Sequence, residues 1–274
     1  MIARWSAELE SDTSPPSRGW TDLPCPLCSG WESDPVREVA ETHPEGRSPR
    51  QFLIVRCRTC GHRYLNPRPL TDAWLPISTD RREPEPDRTA RSTIGSSIAA
   101  IAEPRVLSFD SACGIWLREV LPPLAKLDVR TAAVRPGHYD LAIDWYRLER
   151  HEEPAEELRL AYRALAPGGA LLLAATLPQG WGEGHFGSAW VGDDAPGRIS
   201  HFAASHLAMA VQAAGLRFER ATVLGQPALW QASAERCLGW KRLWRYCWLA
   251  AMASWLARQF HSAEGMLLLA RKPG

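Results

Sequence analysis

The sequence has almost no excess of charge of either sign. Lys and Arg together number 32, Asp and Glu number 31, and the formal net charge is +1. A protein that binds nucleic acid through its overall electrostatic field carries a clear positive excess. We therefore do not expect nucleic acid to be a partner of this chain.

Long apolar runs are also missing. The first eleven residues mix Arg4, Glu8 and Glu10 with few apolar side chains, and they contain no apolar core of the length that a secretory signal peptide needs. Residues 246–257 are mainly apolar, but twelve residues are too few to span a bilayer as a helix. These absences predict a cytoplasmic protein.

The amino-acid composition is typical of a folded protein. Of the 274 residues, 45% are apolar and 23% are charged, which is typical of soluble globular chains. The length suits a small module followed by one full domain. The predicted boundaries are a flexible lead-in at 1–20, a zinc-ribbon module at 21–70, a charged, proline-bearing linker at 71–90 and an α/β domain at 91–274.

Four of the seven cysteines form two C-x-x-C pairs, Cys25/Cys28 and Cys57/Cys60. Two such knuckles can place four thiolates around one tetrahedral ion, and a site closed by four protein ligands is structural. We predict a structural zinc ion here, with a redox dithiol and an iron centre as alternatives. His62, beside the second pair, is expected at the surface.

Short apolar strands alternate with helical segments after residue 91, which predicts a parallel, doubly wound sheet. The continuous apolar run at 170–176 is typical of a central strand. Strands are predicted at 105–109, 139–144, 170–176, 216–224 and 266–271. Helices are predicted at 116–126, where Pro122-Pro123 shortens the helix, at 154–165 and at 203–214.

Several motifs occur together along the chain. They are Cys60-Gly-His-Arg-Tyr-Leu-Asn-Pro-Arg-Pro69, Tyr139-Asp-Leu through Leu148-Glu149 with Pro154, Leu165-Ala-Pro-Gly-Gly-Ala-Leu-Leu-Leu173, Phe186-Gly-Ser-Ala-Trp190, Pro196, His201-Phe202 and Ala214-Gly215-Leu216. Over about 200 residues the chain thereby resembles a bacterial family of class I S-adenosylmethionine-dependent methyltransferases with an N-terminal zinc ribbon. The resemblance implies a Rossmann-like α/β sheet behind a zinc-ribbon module, with zinc and S-adenosylmethionine as cofactors.

The cofactor motif departs from the family pattern. In the family the first strand ends in an acid followed by a glycine-rich turn; here Ser108 replaces the acid, and Asp110 and Ala112 replace glycines. By the resemblance, the cofactor would meet Ser108, Asp110, Ser111, Gly114 and Asp144. Too few residues precede Tyr139 for the usual helix, strand, helix and strand, so the sheet is predicted to be shortened, and no clear counterpart exists for the second strand's ribose-binding acid.

The resemblance implies a methyltransferase with a small-molecule acceptor, such as a sugar or natural-product intermediate. Methyl transfer to oxygen or nitrogen is helped by a base, and His201 and Glu149 are the leading candidates, ahead of His151 and His185. Because the cofactor motif is degenerate, weak cofactor binding is expected. A catalytically inactive scaffold that binds a partner is the alternative.

A tryptophan-rich helical insertion is predicted at about 230–260. Its large apolar residues recur at helical spacing beside basic residues: Trp240, Trp244, Trp248, Met252 and Trp255, with Lys241, Arg242 and Arg245. This pattern favours a helix that packs on the domain. Docking on a protein partner is the alternative, with contact to a membrane surface less favoured.

Overall fold

The computed structural model describes residues 20–42, 50–69, 86–110, 113–130, 134–238, 247–260 and 262–274. Nearly all of the predicted lead-in and most of the predicted linker lie outside these ranges. So do Ser111 and the segment with Trp240, Lys241, Arg242, Trp244 and Arg245. No helix in the described part of the chain is long and apolar enough to cross a membrane.

The cysteine module, residues 20–69, is built on short antiparallel strands. They are β1 (Trp20–Thr21), β2 (Ser33–Ala40), β3 (Gln51–Cys57), β4 (Arg63–Leu65) and β5 (Arg68–Pro69). Strands β2, β3 and β4 form a meander, and β1 pairs with β5. Side chains of β3 alternate between two small cores, with Phe52 and Ile54 in one and Val55 and Cys57 in the other, as the pleat of a strand requires.

The second sheet has six strands in the described part of the chain. They are β6 (Arg105–Ser108), β7 (Lys126–Val129), β8 (Tyr139–Trp145), β9 (Leu165–Thr176), β11 (Arg217–Leu224) and β12 (Gly265–Arg271), in the order β11-β12-β9-β8-β6-β7. Strand β10 (Ser200–His201) belongs to the other sheet, where it pairs antiparallel with β4. The cysteine module is therefore extended by a strand from the α/β domain.

The prediction of a parallel sheet is correct for β7, β6, β8 and β9 and wrong for β12. Strand β12 runs antiparallel to both β9 and β11. The segment after β11 returns to the same end of the strands to begin β12. Neighbouring strands that are connected at the same end run antiparallel. Sequence periodicity carries no information about strand direction.

The shortened sheet is confirmed. Between β6 and β8 the described residues form one helix, α2 (Gly114–Val120), and one strand, β7. The helix predicted over 116–126 ends early because Pro122 and Pro123 cannot continue it, and residues from Lys126 onward form the strand instead.

Helices cover both faces of the six-stranded sheet. They are α1 (Arg88–Ile98), α2, α3 (Pro154–Ala164) and α5 (Ala204–Ala213), with α4 (Trp181–Phe186), α6 (Pro227–Leu238) and α7 (Cys247–Gln259) in the later connections. Residues of α3 and α5 belong to one core, and residues of α1 and α2 belong to the other. Helix α1 begins inside the predicted linker, where Asp87 accepts a hydrogen bond from the Ala90 N–H.

Trp145, at the end of β8, offers a test of the second core. Its ring is fully buried and lies 5.1 Å from the ring of Trp116, centroid to centroid. Replacing a buried large aromatic leaves a cavity, so we expect Trp145→Ala to lower the free energy of unfolding by about 3–5 kcal/mol. Urea denaturation measures it, and Trp31→Ala, at an exposed position, should cost less than about 0.5 kcal/mol. Equal effects of the two changes would contradict the packing described here.

Candidate functional site

The four paired cysteines converge at one end of the cysteine module. Their sulfur atoms all lie within 4.8 Å of one another. Cys25 Sγ is 3.7 Å from Cys60 Sγ, and Cys28 Sγ is 3.5 Å from Cys57 Sγ. Disulfide sulfurs are about 2.05 Å apart, whereas four ligands at about 2.3 Å from a tetrahedral ion are about 3.8 Å apart. The cluster has the dimensions of a four-thiolate metal site and is compatible with zinc.

Burial makes thiolates costly in this cluster. Burial raises the pKa of the Cys25 thiol well above its ordinary value, and it raises that of Cys60 to about 11. Burial also opposes ionisation of Cys57, but backbone hydrogen bonds from Cys60 and a side-chain hydrogen bond from Cys28 lower the Cys57 pKa to about 7. Four thiolates in this space need a cation to neutralise them.

Next to the cluster, the expectation that His62 is a surface residue is wrong. Its ring is fully buried, with its centroid 4.8 Å from that of Phe202 in the α/β domain. His206 of α5 lies with its Nε2 atom 2.9 Å from the carbonyl oxygen of Cys60. The second knuckle is thus held against the α/β domain, which sequence spacing alone gave no means of recognising.

We call the edge where β6, β7, β8 and β9 end the carboxyl edge. In open α/β sheets, ligands bind at this edge. Ser108 and Asp110 lie there together, with Gly114 at the start of α2. The buried Ser108 hydroxyl donates to the carbonyl of Asp110 at 2.7 Å, and the half-buried Asp110 carboxylate is 4.0 Å from Cys113 Sγ. Ser111 lies outside the described residues.

Asp144, near the end of β8, is buried and caps the turn that follows. Its carboxylate accepts hydrogen bonds from the N–H groups of Arg147, at 3.1 Å, and Leu148, at 2.9 Å. Burial raises its pKa to about 6, and the Leu148 hydrogen bond opposes this. The observed contacts therefore assign Asp144 a structural task at the carboxyl edge.

Asp128, in β7, also has protein partners. Its Oδ2 atom accepts hydrogen bonds from Arg135, at 2.5 Å, and from the Tyr139 hydroxyl, at 2.9 Å. The Arg135 hydrogen bond lowers the pKa of Asp128, so this side chain is a carboxylate at neutral pH. It is the only acid within β7, and its carboxylate is bound by side chains of the protein.

A network of charged side chains crosses the carboxyl edge, and sequence reasoning missed it. We call it the Glu157 bridge. Glu157 of α3 accepts hydrogen bonds from Arg130, which follows β7, and from Arg147, which follows β8, at 2.9 Å; its other oxygen is 2.8 Å from His151 Nε2. The Arg130 guanidinium also lies over the ring of Phe109, 5.6 Å from its centroid. Nothing in the spacing of these residues signals that they meet.

Glu149 and His201, the predicted base candidates, are built into the protein interior. Glu149 is fully buried; it accepts a hydrogen bond from the Thr176 N–H at 2.9 Å and pairs with Arg198 at 2.8 Å. His201 lies in β10, and burial, assisted by the positive charge of Arg198, holds its pKa well below the ordinary value. His201 is thus neutral, and both side chains are buried.

Residues 190–202, which we call the strap, are all buried. The strap lies between the cysteine module and the α/β domain. Arg37 of β2 pairs with Asp193 in the strap, and Arg37 and Arg63 both reach Glu183 of α4, at 3.4 and 3.1 Å. Desolvation makes unpaired charges very costly in such a place, so these pairs hold the two modules in one arrangement.

The predicted insertion lies between β11 and β12 and emerges at the carboxyl edge. Its anchor is Glu264, a fully buried residue that sequence reasoning missed. The Glu264 carboxylate accepts hydrogen bonds from the Gln226 N–H, the Ser254 hydroxyl and the Trp230 indole, at 3.0, 2.8 and 2.5 Å.

The aromatic face of α7 points to solvent, which is the opposite of the expected orientation. The prediction that the aromatic stripe packs on the domain is wrong for Trp248, Met252 and Trp255, which are exposed. The helix instead packs through small side chains, of which Ser254 and Ala257 are buried. Helical periodicity shows that residues share a face and does not show which way that face points.

The Glu157 bridge makes stability depend on pH. Burial alone would raise the pKa of Glu157, but His151, Arg147 and Arg130 together lower it from 4.5 to about 2. A carboxylate with a lowered pKa stabilises the fold above its unfolded pKa, and the contribution disappears as the pH falls from about 4.5 to about 2.

We therefore expect Glu157→Gln to cost about 2 kcal/mol at neutral pH, with a difference from wild type that shrinks below about pH 4. Urea denaturation across this pH range measures the difference. Glu156→Gln, at the exposed neighbouring acid, is the control and should show little of it. A penalty that is independent of pH would contradict the bridge.

Comparison with known proteins agrees with the fold. A family described as a methyltransferase domain matches residues 77–221, more than half of the chain. No curated protein matches.

Several solved structures are similar to the chain. The [4+2]-cyclase SpnF shares 15% identity over 71% of this chain and 85% of its own, with a TM-score of 0.46. An S-adenosylmethionine-dependent methyltransferase from Mesorhizobium loti shares 13% identity over 66% and 96%, with a TM-score of 0.38. The Burkholderia thailandensis 1,6-didemethyltoxoflavin-N1-methyltransferase shares 12% over 79% and 98%, with a TM-score of 0.38. Likeness at these identities and scores says nothing about activity.

The family match and the sheet order lead to one assignment. The match spans β6 to β9, the strands whose carboxyl edge was described above, and continues into β11. The sheet is a Rossmann-like α/β sheet, as the resemblance implied. The chain belongs to the methyltransferase domain family, and its fold is that of a class I methyltransferase.

Proposed function

We propose that the chain is an S-adenosylmethionine-dependent methyltransferase that acts on a small molecule and binds its cofactor weakly. Membership of the methyltransferase family is the observation that carries this proposal. The acceptor we propose is a sugar or natural-product intermediate, since the net charge of +1 offers no footprint for nucleic acid. A cytoplasmic location is part of the same proposal.

The cofactor would lie at the carboxyl edge, above Ser108, Asp110 and Gly114. Gly114, at the start of α2, leaves some room there, since an added Cβ would make only an ordinary contact with a Val129 methyl group at 3.8 Å. The polar groups fit it poorly, because Ser108, Asp128 and Asp144 already bond to protein groups. We therefore expect weak cofactor binding, because the polar groups at this edge are already bonded to the protein.

The protein's own contribution to catalysis would be to position the acceptor. A bound cofactor supplies a methyl group for a nucleophilic atom of the acceptor, and holding two reactants in line removes much of the entropic barrier. Glu149 and His201 would act as positioning residues, because both are buried and hold the strap in place. The acceptor would need a nucleophile that these two residues do not have to deprotonate.

The cofactor proposal is tested by calorimetric titration with S-adenosylmethionine and S-adenosylhomocysteine. Two missing charged hydrogen bonds, each worth about 1.5–3 kcal/mol, weaken binding by about two to four orders of magnitude. We therefore expect a dissociation constant above about 100 µM where an intact micromolar site would otherwise bind. Arg130→Ala opens the Glu157 bridge and should tighten binding severalfold.

Arg159→Ala is the matched control for this titration. Arg159 lies on the same helix as Glu157 and pairs only with the exposed Glu156 among the described contacts, so the change should leave cofactor affinity as it is. Wild-type binding tighter than about 10 µM would show that the edge is intact despite its motif. Absence of heat at millimolar ligand would favour the second candidate.

The second candidate is a non-catalytic methyltransferase relative that serves as a binding or scaffold module for a protein partner. One observation favours it: the Glu157 bridge spans the strand ends where a cofactor would lie, and both base candidates are interior residues. The fold would then serve to present binding surfaces to the protein partner.

We also propose that the cysteine module is a zinc ribbon over residues 21–70, followed by a linker at 71–90 and the methyltransferase domain at 91–274. The sulfur separations of 3.5 and 3.7 Å support this. The metal would be structural, because four thiolates leave no open position for substrate or water.

Metal analysis tests the zinc proposal. We expect one zinc per chain, with zinc to sulfur distances of about 2.3 Å by X-ray absorption. Cys28→Ser should lose the metal and destabilise the module, whereas Cys237→Ser, at an exposed cysteine outside the cluster, should retain it. Stoichiometric iron, or a metal-free protein with an undisturbed module, would contradict the proposal.

A further inference from the structure

A groove lies between helix α1 and β11, the strand at one edge of the six-stranded sheet. Its volume is about 520 Å³, which is within the range of small-molecule sites. Two arginines and five serine or threonine side chains line it. Every lining side chain can therefore donate a hydrogen bond, and none of them is acidic.

The periodicity of α1 and β11 explains why the lining is polar. Arg220 and Thr222 are two residues apart in β11, so they share one side of the strand. The hydroxyl residues of α1 recur at a spacing that places them on one face of the helix: Thr89, Ser92, Thr93 and Ser96. Their short side chains leave the space between the helix and the strand open.

The two arginines of the groove have no counter-ion among the described contacts. Arg88, at the start of α1, and Arg220, in β11, take part in no ion pair or hydrogen bond within the described part of the chain. The acids next to them in sequence, Asp87 and Glu219, pair with other arginines. Two positive charges therefore face one groove without a carboxylate between them.

The groove is separate from the carboxyl edge at which a cofactor would lie. Three strands, β12, β9 and β8, stand between β11 and β6. Four strand spacings of about 4.8 Å place the groove about 19 Å from the strand that leads to Asp110. Reacting atoms must approach to about 3–3.5 Å, so a molecule in this groove could not receive a methyl group from that cofactor.

We propose that this groove binds the phosphate group of a small molecule. A guanidinium is a planar fork of donors that matches the oxygens of a phosphate, and it stays charged at neutral pH. The hydroxyls of Ser92 and Thr222, which have no partner among the described contacts, can donate to the remaining oxygens. Free phosphate and a phosphate ester share this chemistry.

The test is calorimetric titration of the full-length, zinc-loaded chain with inorganic phosphate and with glycerol phosphate, at constant ionic strength. We expect binding at millimolar concentrations. Arg88→Gln and Arg220→Gln should each weaken it about tenfold, because each removes a charged hydrogen bond. Thr222→Val keeps the shape of the side chain without its hydroxyl and should weaken binding about threefold. Tighter binding of glycerol phosphate identifies an ester as the ligand, and the reverse order identifies the free ion.

Arg118→Gln is the matched control. Arg118 is also an exposed arginine without a partner among the described contacts, but it lies on α2 and outside the groove. This variant should bind phosphate as the wild type does, and all the variants should keep the wild-type melting temperature. The proposal would be overturned by a wild type that binds neither compound, by full binding in the double Arg88→Gln, Arg220→Gln variant, or by equal weakening in Arg118→Gln.

Discussion

The ion pair between Glu149 and Arg198 holds the strap, and together with the ion pairs of Arg37 and Arg63 it fixes the arrangement of the two modules. Glu149 and Arg198 are both buried, and Glu149 also accepts the N–H of Thr176 at the end of β9. The Ile199 N–H donates to the Glu149 carbonyl at 2.8 Å, and the next two residues form β10 against β4. A buried charge pair is strongly destabilised when one member is removed, so this contact aligns the α/β domain with the cysteine module.

This constraint changes how the carboxyl edge is interpreted. Polar residues at this edge are used to hold loops: Glu149, a predicted base, holds the strap, Asp144, a predicted cofactor contact, caps a turn, and Glu157 joins the segments after β7 and β8. Catalytic groups need the right protonation state and access to the substrate. Glu149 and Asp144 are both buried.

The tryptophan insertion depends on a similar buried carboxylate. Glu264 collects hydrogen bonds from the beginning of the insertion, from α6 and from α7. With α7 held through Ser254, its wide apolar side chains can only point outward. The insertion emerges beside the carboxyl edge because β11 ends there and β12 begins there.

The sequence by itself determined the elements whose signals are local. The four cysteines, the helix that begins at Pro154, the apolar strand ending at Thr176 and the shortened stretch before Tyr139 follow from spacing, capping and hydrophobic runs, which act over a few residues. Only the tertiary structure decided that β12 runs antiparallel, that β10 extends the cysteine module, that Glu157 bridges the carboxyl edge and that Trp248 faces outward. Each of these depends on contacts between residues far apart in the chain, and periodicity along the sequence is the same whichever partner or direction a face meets.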